Sequence, residues 1–315
     1  MIRINQIKLD IGTDEKILNS KIQKLLRLKN SSFTYSIVKK SIDARKKEHI
    51  MYIYSVDVKV DGIDETALVR KLNNKDIIIN KNIKYVFPQI KDTHKNKKIA
   101  IIGSGPAGLF CGLLLARAGF KPVIYERGGN VHERTGIVNA FFETGVLDTE
   151  TNIQFGEGGA GTFSDGKLNS VIKEKDGRIR KVLETFVEFG ANPEILYVNK
   201  PHVGTDVLSV VVSNIRNEII RLGGTVNFNS KVTDIYIDTG KITGIRVNDE
   251  YDEEFNAVVL APGHSARDTF EMLLKKGVEM EKKSFAVGMR IEHNQSLINN
   301  FAYGRDDNGP LRIIK

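Results

Sequence analysis

The chain has 315 residues, of which 41% are hydrophobic and 27% are charged, and its formal net charge is +8. This composition excludes a disordered or fibrous protein, and the length predicts two compact domains. The only cysteine, Cys111, excludes a disulfide scaffold, a Cys-x-x-Cys redox pair and a four-cysteine metal site, and we predict no metal. No stretch approaches the roughly 20 apolar residues that span a bilayer, and the first residues lack a signal-peptide core. We therefore expect a cytoplasmic protein without a membrane partner.

The positive charge is concentrated in the first third of the chain. Residues 1–98 carry a net charge of +11, whereas residues 99–315 carry −3. Such an asymmetry indicates either an arm that binds nucleic acid or a membrane surface, or a lysine-rich face exposed to solvent. The solvated face is the favoured interpretation, and a nucleic-acid partner for residues 1–98 is the alternative.

Residues 1–90 alternate predicted strands and helices in the order strand, helix, strand, strand, helix. The predicted elements are a strand over 2–9, a helix capped by Thr13 or Asp14 and running to about Leu28, strands over 33–41 and 49–60, and a helix from Asp64 through Leu72. This order predicts a small ferredoxin-like α+β domain. The polar, lysine-rich residues 91–98 are the predicted linker to a second, α/β domain over 99–315.

The second domain opens on a phosphate-binding turn. A short apolar strand over 99–102 is followed by Gly103-x-Gly105-x-x-Gly108 and a predicted helix. Gly103 permits the tight turn, Gly105 lets the backbone approach a pyrophosphate, and Gly108 lets the helix pack closely on the strand. The helix N-terminus, with Pro106 and Ala107 in its first turn, then presents the N–H groups of its non-proline residues and a positive dipole to the phosphates. The pattern predicts a Rossmann-type site for a dinucleotide.

Glu126 ends the next apolar strand, over 123–125, and lies 23 residues after Gly103. A carboxylate at this point can accept hydrogen bonds from both ribose hydroxyls of an adenosine, and it would repel a 2′-phosphate. The pattern thus argues against NADP at this site and leaves NAD and FAD as cofactors. The alternative is a glycine-rich turn beside a surface glutamate, which the complete strand, turn, helix, strand and acid order disfavours.

Two features favour FAD. Arg127 and the pair Gly128-Gly129 follow the acid directly, as is usual in flavoproteins that resemble glutathione reductase. Residues 254–263 (EFNAVVLAPG) resemble the strand of that superfamily that passes close to the cofactor, and they end at Gly263. The same resemblance implies that a backbone group near Val232 contacts the adenine.

A second glycine-rich loop, residues 154–168, reads QFGEGGAGTFSDGKL. Its glycines exclude a stable helix or central strand, and a loop of this kind can wrap an anion or lie against a planar ring. The run Gly158-Gly159-Ala160-Gly161 is its predicted cofactor-binding part. A flexible surface loop is the alternative, but Phe155 and Phe163 are side chains that a solvated linker does not need.

Several motifs together resemble one bacterial family, the uncharacterised FAD-dependent dehydrogenases also described as NAD(FAD)-utilising dehydrogenases. The motifs are SIDARKK (41–47), IIGSGPAGLF, IYERGG, QFGEGGAGTFSDGKL, KPHVGTD (200–206), LAPGHSARDTFEML (260–273) and AVGMRIEH (286–293). The resemblance implies a glutathione-reductase-type FAD domain and an oxidoreductase activity, with NAD(P)H as the expected transient electron donor. Family members are longer, so we expect this chain to be an N-terminal portion that lacks the part covering the flavin. Pro262 stands where the family's strand motif usually has threonine.

Three side chains are candidate catalytic residues: His202, His264 and Arg267. An imidazole titrates near neutral pH and can exchange protons, and a guanidinium can hold a phosphate or carboxylate with two hydrogen bonds. The alternative for His202 is a packed histidine in a turn where Thr205 or Asp206 caps the following helix.

Capping also bears on the segment after the Pro-Gly turn. Ser265 is the predicted N-cap of a helix running through Leu274, with Asp268 in its first turn. Capping explains Ser265 and Asp268, but it does not explain His264 or Arg267.

The sequence therefore predicts an FAD-dependent oxidoreductase that passes a hydride between a small redox substrate and a bound flavin. Two alternatives stay open. One is a flavin- or nucleotide-binding protein without turnover whose basic N-terminal domain associates with RNA. The other is an NAD-dependent dehydrogenase without flavin.

Overall fold

The computed structural model describes residues 1–29, 31–81, 83–91, 96–163, 168, 172, 174–289 and 291–304. Parts of three predicted features lie outside the described residues: 92–95 of the linker, 164–167 of the second glycine loop, and Arg290 of the AVGMRIEH motif. No helix among the described residues is long and apolar enough to cross a membrane.

The N-terminal region forms one antiparallel sheet with two helices. Its elements are β1 (Ile2–Asp10), α1 (Ile17–Leu25), β2 (Phe33–Asp43), β3 (Met51–Val60), α2 (Glu65–Leu72) and β4 (Ile77–Ile79). The strands lie in the order β2-β3-β1-β4, and every neighbouring pair is antiparallel. Alternate residues of β1 and β3, such as Ile4 and Val56, point into a core shared with Leu18 and Ile22 of α1. Alternation of apolar and polar residues predicted β1, and enrichment in Tyr, Ile and Val predicted β2 and β3, whereas the short strand β4 was missed.

The first helix differs from its prediction at both ends. It begins at Ile17 with Lys16 as N-cap, and no side chain caps it, although the Asp14 carboxylate accepts a hydrogen bond from the Lys16 N–H. It ends at Leu25 rather than near Leu28, because Arg27 adopts a left-handed conformation (φ 53°) that a helix cannot continue through.

The second half of the chain is built on a parallel sheet. Its strands are β5 (Ile99–Ile102), β6 (Val123–Tyr125), β7 (Thr225–Asn227) and β11 (Ala257–Leu260), in the order β11-β5-β6-β7. The connecting helices are α3 (Pro106–Arg117), α4 (Val131–Thr144), α5 (Arg178–Glu188) and α6 (Thr205–Arg221). A smaller antiparallel sheet contains β8 (Val232–Asp238), β9 (Lys241–Val247) and β10 (Tyr251–Glu254). The last two helices among the described residues are α7 (Arg267–Lys275) and α8 (Gln295–Tyr303).

Both faces of β5 are buried. Ile101 packs with α3 and α6 on one face, whereas Ala100 and Ile102 pack against Val232 and Ile245 of the small sheet on the other. This two-sided burial explains the continuous apolar run over 99–102. It also fixes the position at which the chain leaves the sheet for the phosphate turn.

The two halves meet through backbone hydrogen bonds. The Lys40 N–H of β2 donates to the Tyr197 carbonyl (2.7 Å), and the Asn199 N–H donates to the Lys40 carbonyl (2.8 Å). Residues 197–199 of the second half therefore pair with the edge strand β2 of the N-terminal sheet through one parallel bridge at Val198.

Asp64 caps α2 as predicted, because its carboxylate accepts hydrogen bonds from the N–H groups of Thr66 (2.9 Å) and Ala67 (3.2 Å). We expect Asp64→Ala to lower the free energy of unfolding by about 1 kcal/mol, as measured by urea titration. The matched control is Glu48→Ala, which removes an exposed carboxylate that bonds to no described residue and should change stability by less than about 0.5 kcal/mol. Equal losses in both variants would contradict the contribution of the cap.

Candidate functional site

The phosphate turn depends on two glycines that the fold leaves no room to replace. Gly103 has φ 103°, and a Cβ there would overlap the Ala261 carbonyl at the end of β11. A Cβ on Gly108 would overlap the Gly103 carbonyl oxygen, so Gly108 allows α3 to start directly against the turn. These contacts give Gly103 and Gly108 the structural roles that their spacing predicted.

Gly105 is different, because no protein atom would block a side chain introduced at this position. It is the N-cap of α3 with an ordinary φ of −66°, and a Cβ there would have no neighbour within 4 Å. The Cβ would instead point into open space in front of the first turn of α3, where helix N–H groups lack intrahelical partners and the helix dipole is positive. The space that glycine leaves open is suited to the phosphates of a ligand.

This space belongs to a cavity of about 290 Å³ at the carboxyl end of the parallel sheet. The predicted cofactor-binding residues that line it are Gly103, Gly105, Pro106, Ala107, Glu126, Arg127, Gly159, Ala160, Val232 and Gly263. Among the other predicted residues, Gly108, Gly158 and Gly161 do not belong to its described lining. The fold thus brings together segments that are more than 150 residues apart in sequence.

Glu126 lies at the wall of this cavity and is 4% exposed. One carboxylate oxygen accepts hydrogen bonds from the N–H (2.8 Å) and hydroxyl (2.9 Å) of Ser104, and the other accepts from the N–H groups of Gly128 (3.0 Å) and Gly156 (3.1 Å). Four bonds match the approximately four lone-pair sites of a carboxylate. The acid therefore holds the chain itself together, and its contact with a ribose remains a prediction.

The second glycine loop lies directly against the first. The Gly158 N–H donates to the Ser104 carbonyl (3.0 Å), and a Cβ on Gly159 would come within 2.9 Å of the Pro106 ring. Residues Ala160–Phe163 form a short 3₁₀ turn. Residues 154–156, 159 and 160 of this loop thus line the cavity, as the binding interpretation of its sequence requires.

Comparison with known proteins assigns the second half of the chain to a protein family. Residues 97–298 match the family described as pyridine nucleotide-disulphide oxidoreductase. The chain belongs to this family. Residues 1–59 match a domain of unknown function (DUF8436).

Individual relatives share different lengths of the chain. An uncharacterized protein of Clostridium beijerinckii is 47% identical over 98% of this chain and 57% of its own length. A thioredoxin reductase of Pneumocystis jirovecii is 36% identical over 25% of this chain and 21% of its own length. Among solved structures, Thermovibrio ammonificans THI4 is 20% identical, with a TM-score of 0.37 over 59% of this chain and 65% of that protein. The chain therefore spans little more than half the length of its Clostridium relative.

Arg134 and Glu157 are buried charges of this family member that the sequence analysis missed. Arg134 is completely buried, and its guanidinium lies within the curve of the second glycine loop. Glu157 is also completely buried, and it accepts hydrogen bonds from the Val131 N–H (2.9 Å) and the Arg216 guanidinium (2.7 Å). Burial raises the pKa of Glu157. The alternating charges of the α4 sequence VHERTG resemble an ordinary solvated helix, so no local signal distinguishes Arg134.

Arg127 anchors α7 beside the cavity. Its guanidinium donates to both oxygens of Asp268 (2.9 and 3.1 Å) and lies 4.6 Å from the centre of the Phe155 ring. Lys231 bridges Asp268 (2.8 Å) and Glu150 (3.0 Å), and Arg127 also lies 3.4 Å from Glu150. Two cations and two acids therefore alternate around the rim of the cavity, and we call these four side chains the rim ion pairs. Asp268 therefore has two roles in its helix: it forms ion pairs with Arg127 and Lys231, and it places a favourable negative charge in the first turn.

The structure separates the three candidate catalytic residues. His264 lines the cavity, whereas His202 and Arg267 are exposed and do not belong to its described lining. Among the described residues, no group of three His, Cys, Asp or Glu side chains is placed to hold a metal ion.

Both predicted caps near these candidates are wrong. The N-cap of α7 is Ala266, without a side-chain bond, because the Ser265 carbonyl rather than its hydroxyl accepts the Arg267 N–H. The N-cap of α6 is Gly204, at φ 79°, so Thr205 and Asp206 already lie inside the helix. Capping consequently does not account for His202 or His264.

The rim ion pairs predict a pH-dependent stability. Burial alone would raise the pKa of Asp268, but hydrogen bonds from Arg127 and Lys231 outweigh it and hold the pKa well below the usual 3.8. Because this pKa is lower in the folded chain, the stabilisation is complete above about pH 5 and is lost as the pH falls through and below 3.8. Asp268→Asn should therefore cost stability at pH 7, and the difference from wild type should shrink at pH 3.5.

Urea unfolding at pH 7, 5 and 3.5 measures this difference. Asp238→Asn is the matched control, since Asp238 is exposed and its carboxylate pairs with no described residue. A stability difference for Asp268→Asn that stayed constant or grew towards pH 3.5 would rule out the ion-pair explanation.

Proposed function

We propose that this chain is the dinucleotide-binding portion of an FAD-dependent oxidoreductase. The observation that carries the proposal is the open space at Gly105, in front of the first turn of α3, inside a cavity that two glycine loops enclose. Family membership supports oxidoreductase chemistry. The cavity is near the lower end of the about 300–1,000 Å³ usual for ligand pockets, which suits the adenosine-pyrophosphate half of the cofactor.

The lining residues divide into groups with different roles toward FAD. The N–H groups at the start of α3, near Gly105 and Ala107, would hold the pyrophosphate, and Ala160 would bound it from the second loop. Glu126 and Val232 would face the adenosine. When bound, the flavin supplies a two-electron centre that accepts and releases a hydride. NAD(P)H would be the transient electron donor, and a small molecule would be the substrate.

The domain organisation forms part of the same proposal. Residues 1–90 would be a ferredoxin-like domain, which the β-α-β-β-α-β order and the antiparallel sheet β2-β3-β1-β4 support. Residues 91–98 would be the linker, and residues 99–315 the glutathione-reductase-type cofactor domain, for which the parallel sheet and the family match provide the support.

Gly105→Ala tests the pyrophosphate site. The new methyl group meets no protein atom, so the fold should be retained, but it would occupy the space assigned to the phosphates. An overpacked methyl costs about 1–3 kcal/mol, so we expect FAD affinity to fall by roughly 5- to 150-fold. FAD fluorescence titration and thermal melting measure affinity and fold separately.

The matched control is Gly136→Ala. Gly136 lies within α4 and also has no neighbour within 4 Å of a Cβ, so the substitution should leave FAD affinity unchanged. Unchanged affinity in Gly105→Ala, with wild type binding FAD, would refute the assignment of the pyrophosphate to this turn.

The identity of the cofactor is tested by releasing the nucleotide from denatured protein. An FAD protein should be yellow, bleach under anaerobic NAD(P)H, and release FAD that chromatography identifies. Release of NAD without flavin, together with NAD binding that Gly105→Ala abolishes, would favour the NAD-dependent dehydrogenase instead.

A second candidate function is binding of nucleic acid, which a lysine-lined cleft favours. The cleft, about 1080 Å³ in volume, lies between the open face of the N-terminal sheet and α5. The ammonium groups of five lysines in the cleft bond to no described residue: Lys39, Lys81, Lys84, Lys175 and Lys181. Of its three carboxylates, Asp57 and Glu184 are paired with arginines, and Glu174 accepts the N–H groups of Asp176 and Ile179. Unpaired ammonium groups on both walls suit a phosphate backbone.

Binding of a fluorescent single-stranded RNA to the whole chain tests this candidate. The variant Lys39→Gln, Lys84→Gln, Lys181→Gln should reduce affinity by tenfold or more and flatten its dependence on salt. The control Lys16→Gln, Lys24→Gln, Lys71→Gln removes the same charge from α1, α2 and their flanks. Equal losses in the two variants would mean unspecific attraction, and the cleft would not be a binding site.

A further inference from the structure

The guanidinium of Arg134 is surrounded by the backbone of the second glycine loop. It donates to the carbonyl oxygens of Asn152 (2.8 Å), Ile153 (2.8 Å), Glu157 (2.7 Å) and Gly159 (2.8 Å), and to the Thr162 hydroxyl (2.9 Å). Burial lowers the pKa of Arg134 to about 10, which still leaves it protonated at neutral pH. A contact with the Gly156 carbonyl (3.4 Å) is longer, so one fixed cation binds five peptide carbonyls within residues 152–159.

These bonds decide which side of each peptide faces the cavity. Carbonyl oxygens carry partial negative charge, and a cavity for a pyrophosphate cannot present them toward the ligand without repulsion. The Gly159 carbonyl is directed to Arg134, while Gly159 itself lines the cavity. Arg134 therefore removes acceptor groups from the wall that an anion would contact.

Gly156 lies between the Glu126 carboxylate, which accepts from its N–H, and the Arg134 guanidinium, which donates to its carbonyl. Its N–H donates to the Glu126 carboxylate (3.1 Å), and a Cβ at its φ of 117° would lie 2.5 Å from the Arg134 Cδ. The loop can approach the arginine this closely only because Gly156 has no side chain. The position of the loop consequently depends on Arg134 and Glu126 together.

We propose that Arg134 is a positioning residue for the dinucleotide, one that shapes the cavity wall for an anionic pyrophosphate without touching the ligand. The inference rests on the proposed FAD site. A guanidinium is needed because it offers five donors in a rigid planar fork, whereas an ammonium offers three donors on a flexible stem.

Two variants and a rescue test the proposal. Arg134→Ala should reduce FAD affinity by tenfold or more, and Arg134→Lys, which keeps the charge, should still lose at least threefold. Adding about 20 mM guanidinium chloride should restore most of the affinity of Arg134→Ala, and equal sodium chloride should not. The control Arg178→Ala, on the exposed start of α5, should bind FAD as wild type does under all conditions.

Hydrogen exchange of the ligand-free chain supplies a readout that does not require FAD. Backbone amides of residues 153–163 should exchange faster in Arg134→Ala than in wild type, while those of β5 and α3 keep their protection. Faster exchange confined to this loop supports the positioning role. Uniformly faster exchange, or reduced affinity without any change in the loop, would overturn it.

The remaining outcomes are also decisive. If Arg134→Ala does not fold, the FAD affinity of Arg134→Lys becomes the test. An affinity of Arg134→Lys equal to that of wild type would overturn the proposal. If the wild-type chain itself binds no FAD, the proposed function fails; loop exchange unchanged by Arg134→Ala would then reject the arginine's role as well.

Discussion

The carboxylate of Glu126 holds the site together. Its four hydrogen bonds join the phosphate turn at Ser104, the turn after β6 at Gly128 and the second glycine loop at Gly156. A buried carboxylate without partners would cost far more than these bonds contribute, so burial of this acid requires the three segments to be present together. Hydrogen bonds to a charged group contribute about 1.5–3 kcal/mol each, which makes this contact a strong constraint on the loops.

The sheet determines where that carboxylate lies. β5 is buried on both faces, β6 pairs with it in parallel, and both strands end at the same edge. β11 then passes so close to the turn that its Ala261 carbonyl excludes a side chain at residue 103. The apolar core thus fixes the strand ends, the strand ends fix Glu126 and the phosphate turn, and these in turn fix the second loop through Gly156.

Local patterns were sufficient to predict the parts of the site that are local in sequence. The strand, turn and helix at Gly103–Gly108 follow from glycine spacing, and the burial of 99–102 follows from its uniform apolarity. The Arg134 network could not be predicted, because its partners lie 18 to 28 residues away and all except the Thr162 hydroxyl are backbone carbonyls, which carry no residue signature. The wrong caps at Ser265 and Thr205 have a similar origin, since a serine or threonine near a helix start does not reveal whether its side chain or its backbone forms the bond.

The contacts of Glu126, which follows β6, give this acid a structural role that its position in the sequence does not predict. Its position relative to Gly103 predicts a ribose acceptor, yet the chain's own N–H and hydroxyl groups already occupy both oxygens. A ribose hydroxyl would have to be an additional donor to these oxygens or displace one of the chain's own donors, so a substitution at Glu126 would disturb the loops as well as the ligand. Across the second loop, Arg134 and Arg216 offset the negative charges of Glu126 and Glu157. The buried part of the site thus combines two arginines with two carboxylates, and the N-terminus of α3 adds the positive end of a helix dipole at the cavity.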